Sequence, residues 1–174
     1  MPDTPAPTAA PAHAAQPAQT ALRTLITLQA ERLQQADVSY GHGTTNAFDE
    51  AAWLVLWQLG LPLDSDIDDP ALPAPTAAQQ QAVAAFVEQR ISSRKPAAYL
   101  TGEAWLQGVP FYVDARAIIP RSLIAEVLAD GSIDAFLPAS TSRVLDLCTG
   151  NGSLAVLAAL AWPDVQVDAA DIAD

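Results

Sequence analysis

The chain has 174 residues, 51% of them hydrophobic, enough for one ordinary domain or two small ones with a real core. Eight basic residues against 20 acidic ones give a formal charge of -12. Such a surface repels nucleic-acid phosphates and attracts basic partners, so no direct nucleic-acid binding is expected. A single cysteine, Cys148, excludes an intrachain disulfide and any cysteine-cluster metal site, and it fits a reducing compartment, with the cytoplasm as default.

Residues 1–18 are rich in Ala, Pro and Thr, and no Lys or Arg precedes Arg23, so the charged start and apolar run of a secretory signal are both missing. The segment reads as a disordered tail. No apolar stretch approaches the roughly 20 residues that cross a bilayer, so no membrane partner is expected. Over 20–35, Leu22, Leu25, Ile26 and Leu33 fall at helical spacing. The run Tyr40-Gly-His-Gly-Thr44 breaks that helix, and Asn46 is placed to cap a second one, with Asp49 accepting from free amides and Gly60 as the stop. This helix carries Trp53, Leu54, Leu56 and Trp57. The aspartates and prolines of 62–75 suit a surface loop, after which Thr76 opens a third helix through Val83, Phe86, Val87 and Ile91, ended by Lys95-Pro96.

Residues 19–95 therefore read as a helical domain. Within 96–120, two short apolar runs flank Gln107-Gly108, a hairpin signal linking that domain to the next. In 121–174, Ser122 is placed to cap a short helix running to Gly131, and 138–142 is a connector. Strand (from Arg143), turn, helix (153–161), the Pro163-Asp164 break and strand (165–169) then make one βαβ unit.

That unit carries the chemistry. Gly150 and Gly152 flank Asn151 at a strand-to-helix turn, where missing side chains let backbone approach a ligand and the helix start offers amides. Asp171 lies 19 positions beyond Gly152, near the interval at which a carboxylate at the second strand's end accepts from ribose hydroxyls. Gly150-x-Gly152-x-x-Ala155 also satisfies the dinucleotide fingerprint, so a nicotinamide-dependent oxidoreductase is an alternative. Asp146 bears on the choice: a carboxylate inside the strand favours a cationic cofactor over a pyrophosphate, the alternative reading being a cap on local backbone amides. Five other residues have plainer readings. His42 is a turn or contact residue with no partner for a metal site. Trp53 and Trp57 are core residues, Trp105 faces either the cleft or the domain seam, and Cys148 is a small buried residue in its turn.

The run Arg143-Val-Leu-Asp-Leu-Cys-Thr-Gly-Asn-Gly152 resembles the first motif of class I S-adenosylmethionine-dependent methyltransferases. The wider chain, from about Leu22 onward, resembles the protein-(glutamine-N5) methyltransferase family, which modifies ribosomal proteins and release factors. Tyr40-Gly-His-Gly-Thr-Thr-Asn46, Asp49-Glu50, Ala98-Tyr-Leu-Thr101, Ala104-Trp105, Gly108, Phe111-Tyr-Val-Asp114, Pro120-Arg-Ser122 and Asp146-Leu-Cys-Thr-Gly150 look most like its branch acting on large-subunit ribosomal protein L-three. The release-factor branch usually has Gly where Cys148 stands, and Leu123 replaces a proline common in the resembled branch.

The resemblance implies an α/β fold: an N-terminal helical bundle that recognises the protein substrate, a hairpin linker, and the truncated start of a class I, Rossmann-like methyltransferase domain. It implies S-adenosylmethionine as cofactor, with Cys148, Thr149, Gly150, Asn151 and Gly152 lining its methionine part, Asp171 on its ribose and Asp146 behind its amino end. The implied reaction moves a methyl group to the side-chain amide nitrogen of a glutamine. An Asn-Pro-Pro-Tyr motif performs the substrate clamping in that family, and no such run occurs here, so no catalytic residue is assigned and the chain is expected to be an inactive fragment, poorly soluble or partly disordered after Pro138. A non-enzymatic helical module binding a basic protein is the remaining alternative.

Overall fold

The computed structural model describes residues 20–172; the expected tail, 1–18, lies outside the described residues. The chain is a mixed α/β structure. Its first half is built from three helices, α1 (Ala21–Gln35), α2 (Ala47–Leu59) and α3 (Ala77–Ser93). Thr20 caps α1 by accepting from Arg23 N at 3.2 Å, and the four apolar residues expected on one face, Leu22, Leu25, Ile26 and Leu33, are all buried. Asn46 caps α2 as expected, its Oδ1 taking Asp49 N at 2.9 Å. Asp49 itself accepts from the Asn46 side-chain amide at 2.6 Å, not from free backbone amides. Gly60 ends α2 in the left-handed region at φ 69°. A full capping box, Thr76 with Gln79, opens α3.

The core of this half joins Leu25, Ile26, Leu33, Leu54, Val55, Val83 and Val87. Trp57 departs from the core expectation: it is 36% exposed and stacks on Phe86 at a centroid distance of 5.1 Å, at the outer edge of the α2–α3 contact. Inside the core sits an ion pair. Arg90 Nε donates to Glu50 Oε1 at 2.7 Å, with the two side chains 2% and 4% exposed. Thr44 Oγ1 donates to the other Glu50 oxygen at 3.0 Å, and Arg90 Nη2 donates to Ser39 O at 2.8 Å. These bonds tie the loop 39–44 to both α2 and α3. The loop needs Gly43: its φ is +107°, and a Cβ there would stand 3.2 Å from the Trp53 ring.

A short helix not expected from the pattern, α4 (Ala97–Thr101), follows Pro96 and leads into the expected hairpin. Strands β1 (Glu103–Leu106) and β2 (Val109–Tyr112) pair antiparallel with Ala104 opposite Phe111, and Gln107 and Gly108 both take positive φ in the two-residue turn. Trp53 of α2 packs against Ala98, Ala104, Val113 and Ile119, so one indole joins the bundle to the hairpin. Phe111 on β2 is buried with Ala125 and Leu128 of α5 (Leu123–Ala129) and with Leu157 and Ala158 of α6 (Ser153–Ala161). Ser122 caps α5 as expected, and a 3-10 turn, Ser132–Phe136, fills the stretch after Gly131.

The last elements are β3 (Arg143–Leu147), α6 and β4 (Gln166–Ala170), with the second strand one residue later than its pattern suggested. Strands β3 and β4 are parallel, Leu145 opposite Asp168 and Asp146 opposite Ala169. One face of this pair turns Val167 toward the Phe111 cluster, while Leu145 and Leu147 on the other face are 60% and 70% exposed.

Removing one member of the buried Arg90–Glu50 pair leaves a charge in a site with little water. Glu50→Ala is expected to lower stability by about 3–5 kcal/mol, and the double change Glu50→Leu with Arg90→Met by much less. Urea unfolding of both variants checks this; equal losses would contradict it.

Candidate functional site

The site is the crossing from β3 into α6. A strand can turn into a helix this sharply only if its linking residues leave the ordinary backbone regions, and here Cys148, Gly150 and Gly152 have φ of 63°, 59° and 81°. Thr149 N bonds Ala170 O at 3.1 Å and Gly152 N bonds Thr149 O at 3.0 Å, so the turn is stitched to the end of β4 and to itself. A side chain built at Gly152 would meet nothing within 4 Å, and at Gly150 only the Ala117 methyl at 3.8 Å. The turn therefore presents open backbone.

Two carboxylates fasten the same turn from its two strands. Asp146 Oδ2 on β3 accepts a short hydrogen bond from the Thr149 hydroxyl, and Asp171 Oδ2, just past β4, accepts from Gly150 N at 2.7 Å. Asp146 thus acts locally as a cap, through a hydroxyl and not a backbone amide. Asn151 makes the link to the hairpin, its Nδ2 donating to Tyr112 O at 3.3 Å while its Oδ1 accepts from Ser153 N at 3.3 Å. The expected residues Asp146, Cys148, Thr149, Gly150, Asn151, Gly152 and Asp171 are accordingly brought together in one turn and its flanks.

Cys148 corrects an expectation: it is exposed, not buried. The reason is its left-handed backbone, which carries the side chain away from the packed face of β3 and α6. Of the flanking segment 114–117, only Asp114 stands in the sequence motifs. Asp114 accepts from the Arg116 backbone amide at 2.9 Å and from its guanidinium, which holds the Asp114 carboxyl down at about 2. Tyr99 OH donates to Ala117 O at 2.8 Å, fixing the residue that faces Gly150. The signal was the Asp114-x-Arg116 spacing, which suits an Asx turn. On the far side of the strands, Arg143 Nη2 reaches Asp168 at 2.6 Å and lowers its pKa. His42 lies in the α1–α2 loop, in a different part of the fold.

Chemically, the turn offers sterically open backbone beside two anionic groups, while its Thr149, Gly150 and Gly152 amides are bonded within the fold. That lining suits a polar ligand carrying hydroxyls and positive charge, and it disfavours a pyrophosphate. Among the described residues, no group of three or more His, Cys, Asp or Glu is arranged to hold a metal ion, and no helix is long and apolar enough to cross a membrane.

No protein-family model matches the chain. Curated proteins do. It is 49% identical over 154 residues to the ribosomal protein uL3 glutamine methyltransferase of Burkholderia pseudomallei (strain K96243), covering 87% of this chain and 49% of that protein. Against the protein of the same name from Bordetella pertussis it is 49% identical over 155 residues, 87% of this chain and 51% of the relative. The Neisseria meningitidis serogroup B protein of that name is 43% identical over 159 residues, 88% and 50% of the two chains. The chain spans about half the length of the curated relatives it matches.

The left-handed backbone at Cys148 costs an L-residue about 1–2 kcal/mol that glycine avoids. Cys148→Gly is expected to raise stability by up to about 1 kcal/mol once the looser unfolded chain is counted, and Cys148→Val to lower it. Urea midpoints for the two variants check the order; a destabilised glycine variant would contradict the backbone argument.

Proposed function

We propose, from the premise that this chain is homologous to the ribosomal protein uL3 glutamine methyltransferases, that its β3–α6 turn holds S-adenosylmethionine. The whole protein then transfers a methyl group to the side-chain amide of a glutamine in that ribosomal protein. The observation that carries the reading is the pairing of Asp146 and Asp171 on opposite sides of one open glycine turn. Their charge complements the ammonium and sulfonium of this cofactor, and the residues present fit it.

Asp171 is assigned the ribose hydroxyls, because a carboxylate at the end of the second strand is a directional acceptor for a diol. Its bond to Gly150 N pre-orients it against the turn. Asp146, held by Thr149, lies behind the amino end, and the backbone of Cys148 to Gly152 lines the methionine portion. The cofactor supplies an activated methyl on a positively charged sulfur. A glutamine amide nitrogen is a weak nucleophile, since its lone pair is delocalised, so transfer depends on acceptors that aim its hydrogens away from the methyl. This chain's two asparagines are engaged elsewhere: Asn46 caps α2, and Asn151 bridges Tyr112 and Ser153. The amide clamp is therefore assigned to no residue of this chain.

The β3–α6–β4 unit is read as the start of a Rossmann-like sheet, with residues 19–95 as the substrate-recognition domain and 96–120 as the linker. The exposure of Leu145 and Leu147 supports that reading, because parallel strands are normally covered on both faces.

Calorimetric titration separates this proposal from the oxidoreductase alternative. S-adenosylmethionine is expected to bind, with Asp171→Ala weakening it about tenfold, equal to about 1.4 kcal/mol. Binding of a nicotinamide dinucleotide without S-adenosylmethionine binding would overturn it.

A further inference from the structure

Away from the glycine turn, the bundle and the hairpin enclose an open groove of about 770 Å³. Its walls include Gly43 from the α1–α2 loop, Asp49 and Trp53 of α2, Leu63 and Asp64 from the loop after α2, and Trp105 of β1. The volume falls in the range typical of built binding sites, roughly 300–1,000 Å³. The lining includes no Lys, Arg or His.

Its carboxylates carry no ion pair among the described residues, although Asp49 accepts from the Asn46 side-chain amide. The ion pairs among the described residues use Asp68, Glu88, Glu50, Asp114 and Asp168, so neither Asp49 nor Asp64 pairs with a cation there. Both are exposed. Between them the groove supplies aromatic surface: Trp105 is 48% exposed, and its indole N–H is taken by Glu103, which sets a third carboxylate beside that ring. A positive charge gains from carboxylates and from the π-face of tryptophan together, while an anion is repelled by both. The net charge of -12 extends the same preference over the molecule.

We infer that this groove is a docking site for an extended peptide segment of a basic protein, which inserts a lysine or arginine side chain between Asp49, Asp64 and the Trp105 ring. The open form suits a chain that passes through and not an enclosed metabolite. For the identity of the partner, a ribosomal protein, the inference rests on the proposed function; the groove chemistry stands without it.

The test is a nuclear magnetic resonance titration of the 174-residue chain with short synthetic peptides in which glycine alternates with arginine, lysine or glutamate. The arginine and lysine peptides are expected to shift the indole N–H signals of Trp53 and Trp105 and to leave that of Trp162 in place. Asp64→Asn, on an exposed loop, is expected to weaken the arginine peptide several-fold, and added salt to do the same. The groove assignment is overturned if no peptide moves these signals, if the glutamate peptide moves them equally, or if both Asp64→Asn and Trp105→Ala bind as the native chain does. Loss of cofactor binding in calorimetry would strike the functional reading and leave these shifts intact; loss of the shifts would strike the groove alone.

Discussion

The structure turns on one backbone constraint: β3 must reverse into α6 within five residues while remaining bonded to the end of β4. Three of the five, Cys148, Gly150 and Gly152, take positive φ, and the turn is held by Thr149 on Asp146 and by Gly150 on Asp171. Because each carboxylate belongs to a different strand, the parallel pairing of β3 with β4 fixes how far apart they stand. Strand register and site geometry are thus one property. A slip by one residue would exchange Asp146 with its exposed neighbours Leu145 and Leu147 and dismantle both.

The rest of the fold supports that turn through few contacts. Asn151 reaches the hairpin at Tyr112, and Phe111 beside it is buried against α5 and α6. The hairpin in turn packs on Trp53 of α2, whose position depends on a loop anchored by the buried Glu50–Arg90 pair. A charge pair inside a helical core is a poor source of net stability, but it fixes the loop 39–44 in one arrangement. That loop and Trp53 also form one wall of the groove, so the bundle's one buried ion pair among the described residues organises the surface assigned to a partner.

Much of this was legible in the sequence, for physical reasons. The helices declared themselves through apolar spacing and through Asn46 and Thr76 at their starts, because orphan amides at helix starts select hydroxyl and amide side chains. The turn was legible because only glycine tolerates its backbone freely. What was missed lacked a periodic signal. Helix α4 is five residues long, too short for periodicity. Arg90 stands on the stripe of Val83 and Val87, at i+7 and i+3, and a charge on an apolar stripe is the mark of a buried pair. Cys148 was misplaced because its apolar, compact side chain argues for burial while its backbone conformation, invisible in the residue type, turns it outward. Trp57 was misplaced because a stacked partner, Phe86, satisfies half of its surface at the rim.

The most direct measurement for the central claim is amide hydrogen exchange of the chain with and without S-adenosylmethionine. The account predicts slowed exchange concentrated at residues 148–152 and at 171, with the helices of 20–93 unchanged. Unaltered exchange across the turn, or protection confined to another part of the fold, would contradict it.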